Sequence, residues 1–313
     1  MKTIATPPPI RCKAILISNN YQHGYFETGG CRLHYVETGE GPLLVLYHGF
    51  PMFWFSFYPQ IEALKTRFRV VAIDGPGVNL SSKPKNLELY QLENLTLQID
   101  ELARHLIGDE SFYLVGHDWG GALAWAYAQR YPQRLHKVVA INAPPANQLM
   151  ELLASNTEQQ KRSAYMWAMR EGDLHKAMTE NGAARVWERA YAPFRGRPHY
   201  NKEHDEIMRE GLAQPGAVDG GINWYRANIP PLGTITDADF WPSRDAKTDV
   251  PALLIWGDDD QTFIPQFIDD LHRYATSLSV EILPGVGHTP MLEVPDLTNE
   301  TLEEFLTTEA TDA

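Results

Sequence analysis

Cysteine is almost missing from this chain. Cys12 and Cys31 are the only two, too few for a disulfide framework and without the spacing of a metal site, which suits a reducing cytoplasm. Long apolar runs are missing as well: the longest, such as "PLLVLY" and "PALLIW", are strand-sized and far short of the roughly 20 residues that cross a bilayer. No membrane insertion is expected. Positive charge is in deficit, with 27 Lys and Arg against 40 Asp and Glu and a formal net charge of −13. Nucleic acid, or an anionic membrane surface, would on balance be repelled. In "MKTIATPPPI" three prolines arrive before an apolar stretch of signal-peptide length can develop. Internal repeats and low-complexity tracts are absent too, and the ends, "TPPP" and "TTEATDA", read as loose tails. What these exclusions leave is a soluble, cytoplasmic globular protein, free to form a homo-oligomer. At 313 residues, 43% of them hydrophobic, it can bury a sizeable core.

What is present is a rhythm. Short aliphatic runs at 42–49, 68–74, 111–118, 135–144, 251–258 and 278–285 read as buried parallel strands. Between them, 93–108 places Leu95, Ile99, Leu102 and Leu106 on one face at helical spacing, and 120–132 also reads as helix. Such alternation predicts a doubly wound α/β domain with a mostly parallel central sheet and helices on both faces. The rhythm stops after Ala143 and resumes near Val250. Helical patterns at 155–171 and 203–213 and loop signals such as "IPPLG" fill the gap. This predicts a helical lid, residues 144–245, inserted into a core built from 1–143 and 246–313. In sheets of this kind ligands bind beyond the carboxyl ends of the strands, where such an insertion would roof the site.

Chemistry concentrates in four short stretches. "VGHDWGG" has the glycine spacing of a strand-to-helix elbow that usually carries a serine nucleophile, but its centre is Asp118. A carboxylate attacking an ester or amide would give a reactive anhydride, whereas attack on saturated carbon gives a stable alkyl ester. "LLIWGDDDQ" puts three acids after a strand; Asp260, three residues beyond Gly257, is assigned to orient a histidine, and Asp258 and Asp259 are read as solvated loop charges. "LPGVGHTP" supplies that histidine, His288, in a glycine-rich turn. The order nucleophile, acid, histidine is the one such folds use. In "YHGFPMFW" the loop after the first parallel strand offers the Phe50 backbone N–H to an oxyanion, paired with the N–H of Trp119.

At these residues the chain resembles the α/β-hydrolase-fold epoxide hydrolases. "HGFP", "GHDWGG", the acid of "GDDD", "GVGH", "INWYRANIP" and "SAYMWAMREG" carry the likeness, from about residue 25 to 308. "GHDWGG" and "NWYR" are fairly specific, whereas "HGFP" is shared with dehalogenases. The resemblance implies that Tyr225 and Tyr165 are the two lid tyrosines, that Trp54 and Trp224 line the substrate pocket, and that the substrates are a small apolar epoxide and water with no cofactor or metal. A phenol stays protonated at neutral pH and can donate to the alkoxide an opened epoxide becomes. The product would be a vicinal diol.

The chain departs from the family pattern in places. The loop after the fourth strand reads "DGPGVNLSS", with Pro76 at a usual arginine position and Asn79 at a usual glycine. Phe57 replaces a frequent tryptophan. Two rivals share the motifs. A haloalkane dehalogenase would use the same Asp118, with Trp119 and one of Trp167, Trp187 or Trp224 as halide donors, although Phe50 stands where its second donor, an asparagine, is common. A non-catalytic ligand receptor would be expected to have lost part of this set.

Overall fold

The computed structural model describes residues 21–171 and 174–308; Cys12 and the two expected tails, except Thr307 and Thr308, lie outside them. One eight-stranded sheet forms the centre, made of β1 (Gln22–Thr28), β2 (Cys31–Thr38), β3 (Leu43–Tyr47), β4 (Arg69–Asp74), β5 (Phe112–His117), β6 (Leu135–Ile141), β7 (Ala252–Gly257) and β8 (Leu278–Leu283). Its spatial order is β1-β2-β4-β3-β5-β6-β7-β8. The pairings from β4 to β8 are parallel, and β1 and β2 join antiparallel at one edge.

Every one of the six expected strands is present, and for five of them the reason is burial on both faces. The side chains of β3 (LLVLY) and β7 (ALLIWG) are all buried, so their sequences are continuous apolar runs without alternation. β8 differs from expectation. It pairs with β7 as a parallel strand, but as the last in the sheet it leaves Val280 and Ile282 exposed. β1 and β2 were not foreseen. Their mixed sequences, QHGYFET and CRLHYVET, are only partly buried, and the signal that marks them is the Gly29-Gly30 pair, whose positive φ angles of 45° and 99° close the hairpin.

The helix Leu92–Ile107 turns Leu95, Ile99 and Leu102 inward, and the helix Trp119–Arg130 is buried from Trp119 to Ala128. Between β6 and β7 the described residues form six helices: Ala146–Ser155, Thr157–Arg162, Ala164–Glu171, Leu174–Ala190, Lys202–Leu212 and Ala217–Asn228. The chain passes from β4 back across β3 to β5, so the carboxyl ends of the adjacent strands β3 and β5 flank the point where the winding reverses. That crevice is where side chains from two loops can converge on one ligand.

Candidate active site

Asp118 follows β5 at φ 53° and ψ −120°, in a region side chains ordinarily avoid. Such strain costs on the order of 1–3 kcal/mol and persists only where neighbours enforce it. Here they do. A Cβ on Gly116 would stand 2.0 Å from the Gly120 carbonyl oxygen, and one on Gly120 would stand 2.0 Å from that of Tyr47. The turn closes because both positions lack a side chain.

The loop after β3 meets this carboxylate. Gly49 lies so close that a Cβ there would be 2.3 Å from Oδ1 of Asp118, and the next residue, Phe50, donates its backbone N–H to Oδ1 at 2.8 Å. The Trp119 N–H is a second backbone donor. Burial would raise the Asp118 pKa, but the hydrogen bond and positive charge of His288, together with the Trp119 N–H, outweigh it and hold the carboxyl below its ordinary value. Asp118 is therefore an anion at neutral pH.

His288 sits in the turn after β8. Its Nδ1 is 2.7 Å from Oδ2 of Asp260, and its Nε2 is 3.5 Å from Oδ2 of Asp118. Burial lowers the imidazole pKa, yet the charge of Asp260 and the hydrogen bonds to Asp118 and Asp260 win and lift it to about 10. The resting ring is an imidazolium between two carboxylates. Of the three consecutive acids, Asp260 is buried while Asp258 and Asp259 are exposed. Thr262 donates its backbone N–H to Asp260 Oδ1 at 2.7 Å, and Asn142 donates its amide to Oδ2 at 2.8 Å.

Two supporting residues escaped the sequence reading. Asn142, at the end of β6, also accepts the Gly257 N–H at 2.9 Å and so ties the acid loop to the sheet. His117 donates Nε2–H to the His288 carbonyl oxygen at 2.9 Å; burial and the neighbouring imidazolium depress its pKa to about 4, which keeps it neutral. The "H" of "GHDWGG" was a signal, since a histidine beside the nucleophile must face away from it along the strand.

Tyr165 and Tyr225 stand in the same cavity as Phe50, Asp118 and His288, a space of about 590 Å³. Glycines set their approach. A Cβ on Gly220 would lie 2.2 Å from the Gly77 carbonyl oxygen, and one on Gly221 would lie 2.6 Å from the Phe50 ring. The helix Ala217–Asn228 thus packs close enough for Tyr225 to set its ring edge-on to Phe50 at 5.6 Å and to Trp119 at 5.1 Å. Tyr165 lies nearly perpendicular to Tyr225, ring centroids 6.0 Å apart. Burial and the Asp118 charge push both phenols well above their ordinary range, so they remain donors.

The expected pocket walls need correction. Neither Trp54 nor Trp224 lines this cavity. Trp54 packs between Tyr21 and Phe55 in the core, its backbone N–H given to Asp74. Trp224 is buried against His48 and donates its indole N–H to the Pro76 carbonyl at 2.8 Å. That bond also anchors the unusual loop, where Asn79 adopts a positive φ of 39° and donates to Asp74 at 2.8 Å; asparagine tolerates this better than most residues. Three of the four indoles weighed as halide donors are otherwise engaged, and the fourth, Trp187, has a buried N–H with no partner among the described residues. Trp119 hydrogen-bonds the Tyr225 hydroxyl, Trp167 donates to Pro230 at 2.9 Å, and Trp187 does not line the cavity. A smaller apolar space of about 30 Å³ shares Asp118 and is walled by Leu149, Met150 and Phe263.

Comparison with known proteins follows the same lines. A family model for the alpha/beta hydrolase fold matches residues 42–295. The AB hydrolase superfamily protein YfhM of Bacillus subtilis is 30% identical, over 90% of this chain and 96% of its own. Epoxide hydrolase 3 of Mus musculus is 31% identical, over 84% of this chain and 70% of its own. Among solved structures, an epoxide hydrolase of Bacillus megaterium with an inhibitor superposes with a TM-score of 0.83 at 30% identity, covering 91% of this chain and 100% of that one. A mutant of the same enzyme, complexed with its product, a naphthyloxy-propane-1,2-diol, is similar to the same degree.

Proposed function

This chain belongs to the alpha/beta hydrolase fold family, and from that premise we propose how it opens an epoxide to a vicinal diol, the reaction its epoxide hydrolase relatives are named for. Asp118 attacks a ring carbon through Oδ2, the oxygen that Phe50 does not hold. The carbon–oxygen bond of the ring breaks, and Tyr165 and Tyr225 donate to the alkoxide left behind. Positioned proton donation of this kind is worth about 10² to 10⁴ in rate.

The alkyl ester that results has no charge on Asp118. One of the partners that kept His288 protonated is gone, so its proton passes by way of the tyrosines to the new alkoxide. The neutral imidazole, oriented by Asp260, then takes a proton from water while the water oxygen adds to the carboxyl carbon of Asp118. Negative charge collects on Oδ1, against the N–H groups of Phe50 and Trp119, each worth about 10² to 10³. Collapse of this adduct releases the diol, whose alkoxide takes the last proton. Asp118 returns as carboxylate and His288 as imidazolium. Residues 144–245 act as the lid, contributing both tyrosines, over a core of 1–143 and 246–313.

The observation that carries this reading is the convergence in one cavity of a strained carboxylate, a histidine 3.5 Å from it and two phenols kept neutral by burial. The test is to incubate the protein with an aryl epoxide and, separately, a chloroalkane, and follow diol and halide. Diol without halide is expected, with one ¹⁸O from labelled water entering Asp118 in a single turnover. Diol formation that survives Asp118→Ala would sink the covalent route.

A further inference from the structure

The cavity above Asp118 has an unusual balance of charge for so acidic a chain. Among the described residues Asp118 is the one acid in its lining, while three arginines, Arg162, Arg185 and Arg189, also line it. Arg162 is accounted for: it donates to the carbonyls of Asp260 and Phe263 and lies 3.5 Å from Glu158. Arg185 and Arg189 are not. Both are exposed, and neither has an ion-pair or hydrogen-bond partner among the described residues. They stand one turn apart on the helix Leu174–Ala190, on the face that also turns Met178, Val186 and Ala190 to the cavity. Like charges at that spacing repel. Glu188, which could relieve the repulsion, does not line the cavity.

Resting on the epoxide reading, we infer that the favoured substrates are epoxides whose far end bears a carboxylate, held by Arg185 and Arg189. The anion has to be remote from the ring, because Asp118 is itself an anion and would repel a carboxylate beside the attacked carbon. The guanidinium fork suits a carboxylate bidentately. The apolar side chains of Met169, Met178 and Val186 line the same cavity and would take the connecting methylenes. Two cations at the rim of a cavity also raise the local concentration of an anionic substrate.

The test compares terminal epoxides carrying a carboxylate at increasing distance from the ring with their neutral primary amides. At low ionic strength the wild-type protein should favour the acid over the amide by about tenfold in kcat/KM at the best chain length, with the preference declining as salt is added. In R185Q/R189Q the ratio should approach one, and R185K/R189K, which keeps the charge but not the bidentate fork, should fall between that and the wild-type ratio. Because a ratio is read, a general loss of activity or folding divides out. A wild-type ratio at or below one with amides still hydrolysed, or a ratio unchanged in R185Q/R189Q, overturns this inference and leaves the epoxide reading standing. No diol from any epoxide, acid or amide, overturns the epoxide reading instead.

Discussion

Nε2 of His288 lies 3.5 Å from Oδ2 of Asp118, a gap within which it can take a proton from a water that adds to the ester's carboxyl carbon. Replacing the imidazole should therefore separate the two half-reactions. His288→Gln is expected to alkylate and then stall, with turnover down by about 10² to 10⁴. Mass spectrometry of the intact protein after substrate addition should show one adduct, mapping to the peptide with Asp118. Undiminished turnover, or no adduct, would remove His288 from the second step.

The same contact makes a prediction about pH. In the ester, Asp118 is neutral and no longer supports the imidazolium, so His288 should titrate well below the value of about 10 it has at rest. Ester hydrolysis, followed by rapid quench, should rise with pH to a plateau reached below that value, while ester formation should not follow the same curve. Stability should move the other way. The folded His288 pKa of about 10 is above its ordinary 6.5, so its stabilising effect is complete below about 6.5 and fades as pH climbs through about 10. The melting-temperature gap between wild type and His288→Gln should shrink over that window. A gap that widens would contradict the raised pKa.

Tyr165 and Tyr225 share one task in the proposed mechanism, and sharing sets the pattern of their variants. Tyr165→Phe or Tyr225→Phe alone leaves one donor, and each should slow alkylation by about tenfold to a hundredfold; the double variant should lose on the order of 10⁴. Tyr165→Phe removes only a hydroxyl and should hardly move the melting temperature, whereas Tyr225→Phe also takes away the acceptor beside the Trp119 indole N–H and should cost about 1–3 kcal/mol. Stopped-flow tryptophan fluorescence can follow alkylation directly, given Trp119 beside Tyr225. An unaltered alkylation rate in the double variant would relegate both rings to packing.

What could be read in the sequence depended on how local the cause was. Five of the six parallel strands were legible because burial on both faces leaves no alternation, β8 because its edge position still carries Leu, Val and Ile, and the elbow because only glycines permit the Gly116–Gly120 approach. The β1–β2 hairpin was missed since its strands are half exposed and carry His, Glu and Arg. Trp54 and Trp224 were misplaced for a related reason: an aromatic residue advertises burial but not which side of a loop or helix it faces. Long-range bonds decided it, Trp224 to Pro76 across 148 positions. Asp260 was separable from its neighbours by position, but the Asn142 that holds it is 118 residues away and looks like any polar residue closing a strand.

Asn142 is where that missing information can be tested. Its side chain bonds Asp260 at 2.8 Å and Gly257 at 2.9 Å, and its φ of 41° suits asparagine better than a bulkier residue. Asn142→Ala would leave a buried carboxylate short of one donor and the Gly257 N–H unpaired, for a cost of about 2–4 kcal/mol in stability. A purely structural residue would lower both half-reactions in step with the folded fraction. A positioning residue behaves differently: with Asp260 less constrained, the folded Asn142→Ala protein should form the ester at nearly the normal rate and hydrolyse it about tenfold more slowly or worse, so that the adduct accumulates. Equal slowing of both steps, measured per folded molecule, would show that Asn142 merely supports the fold.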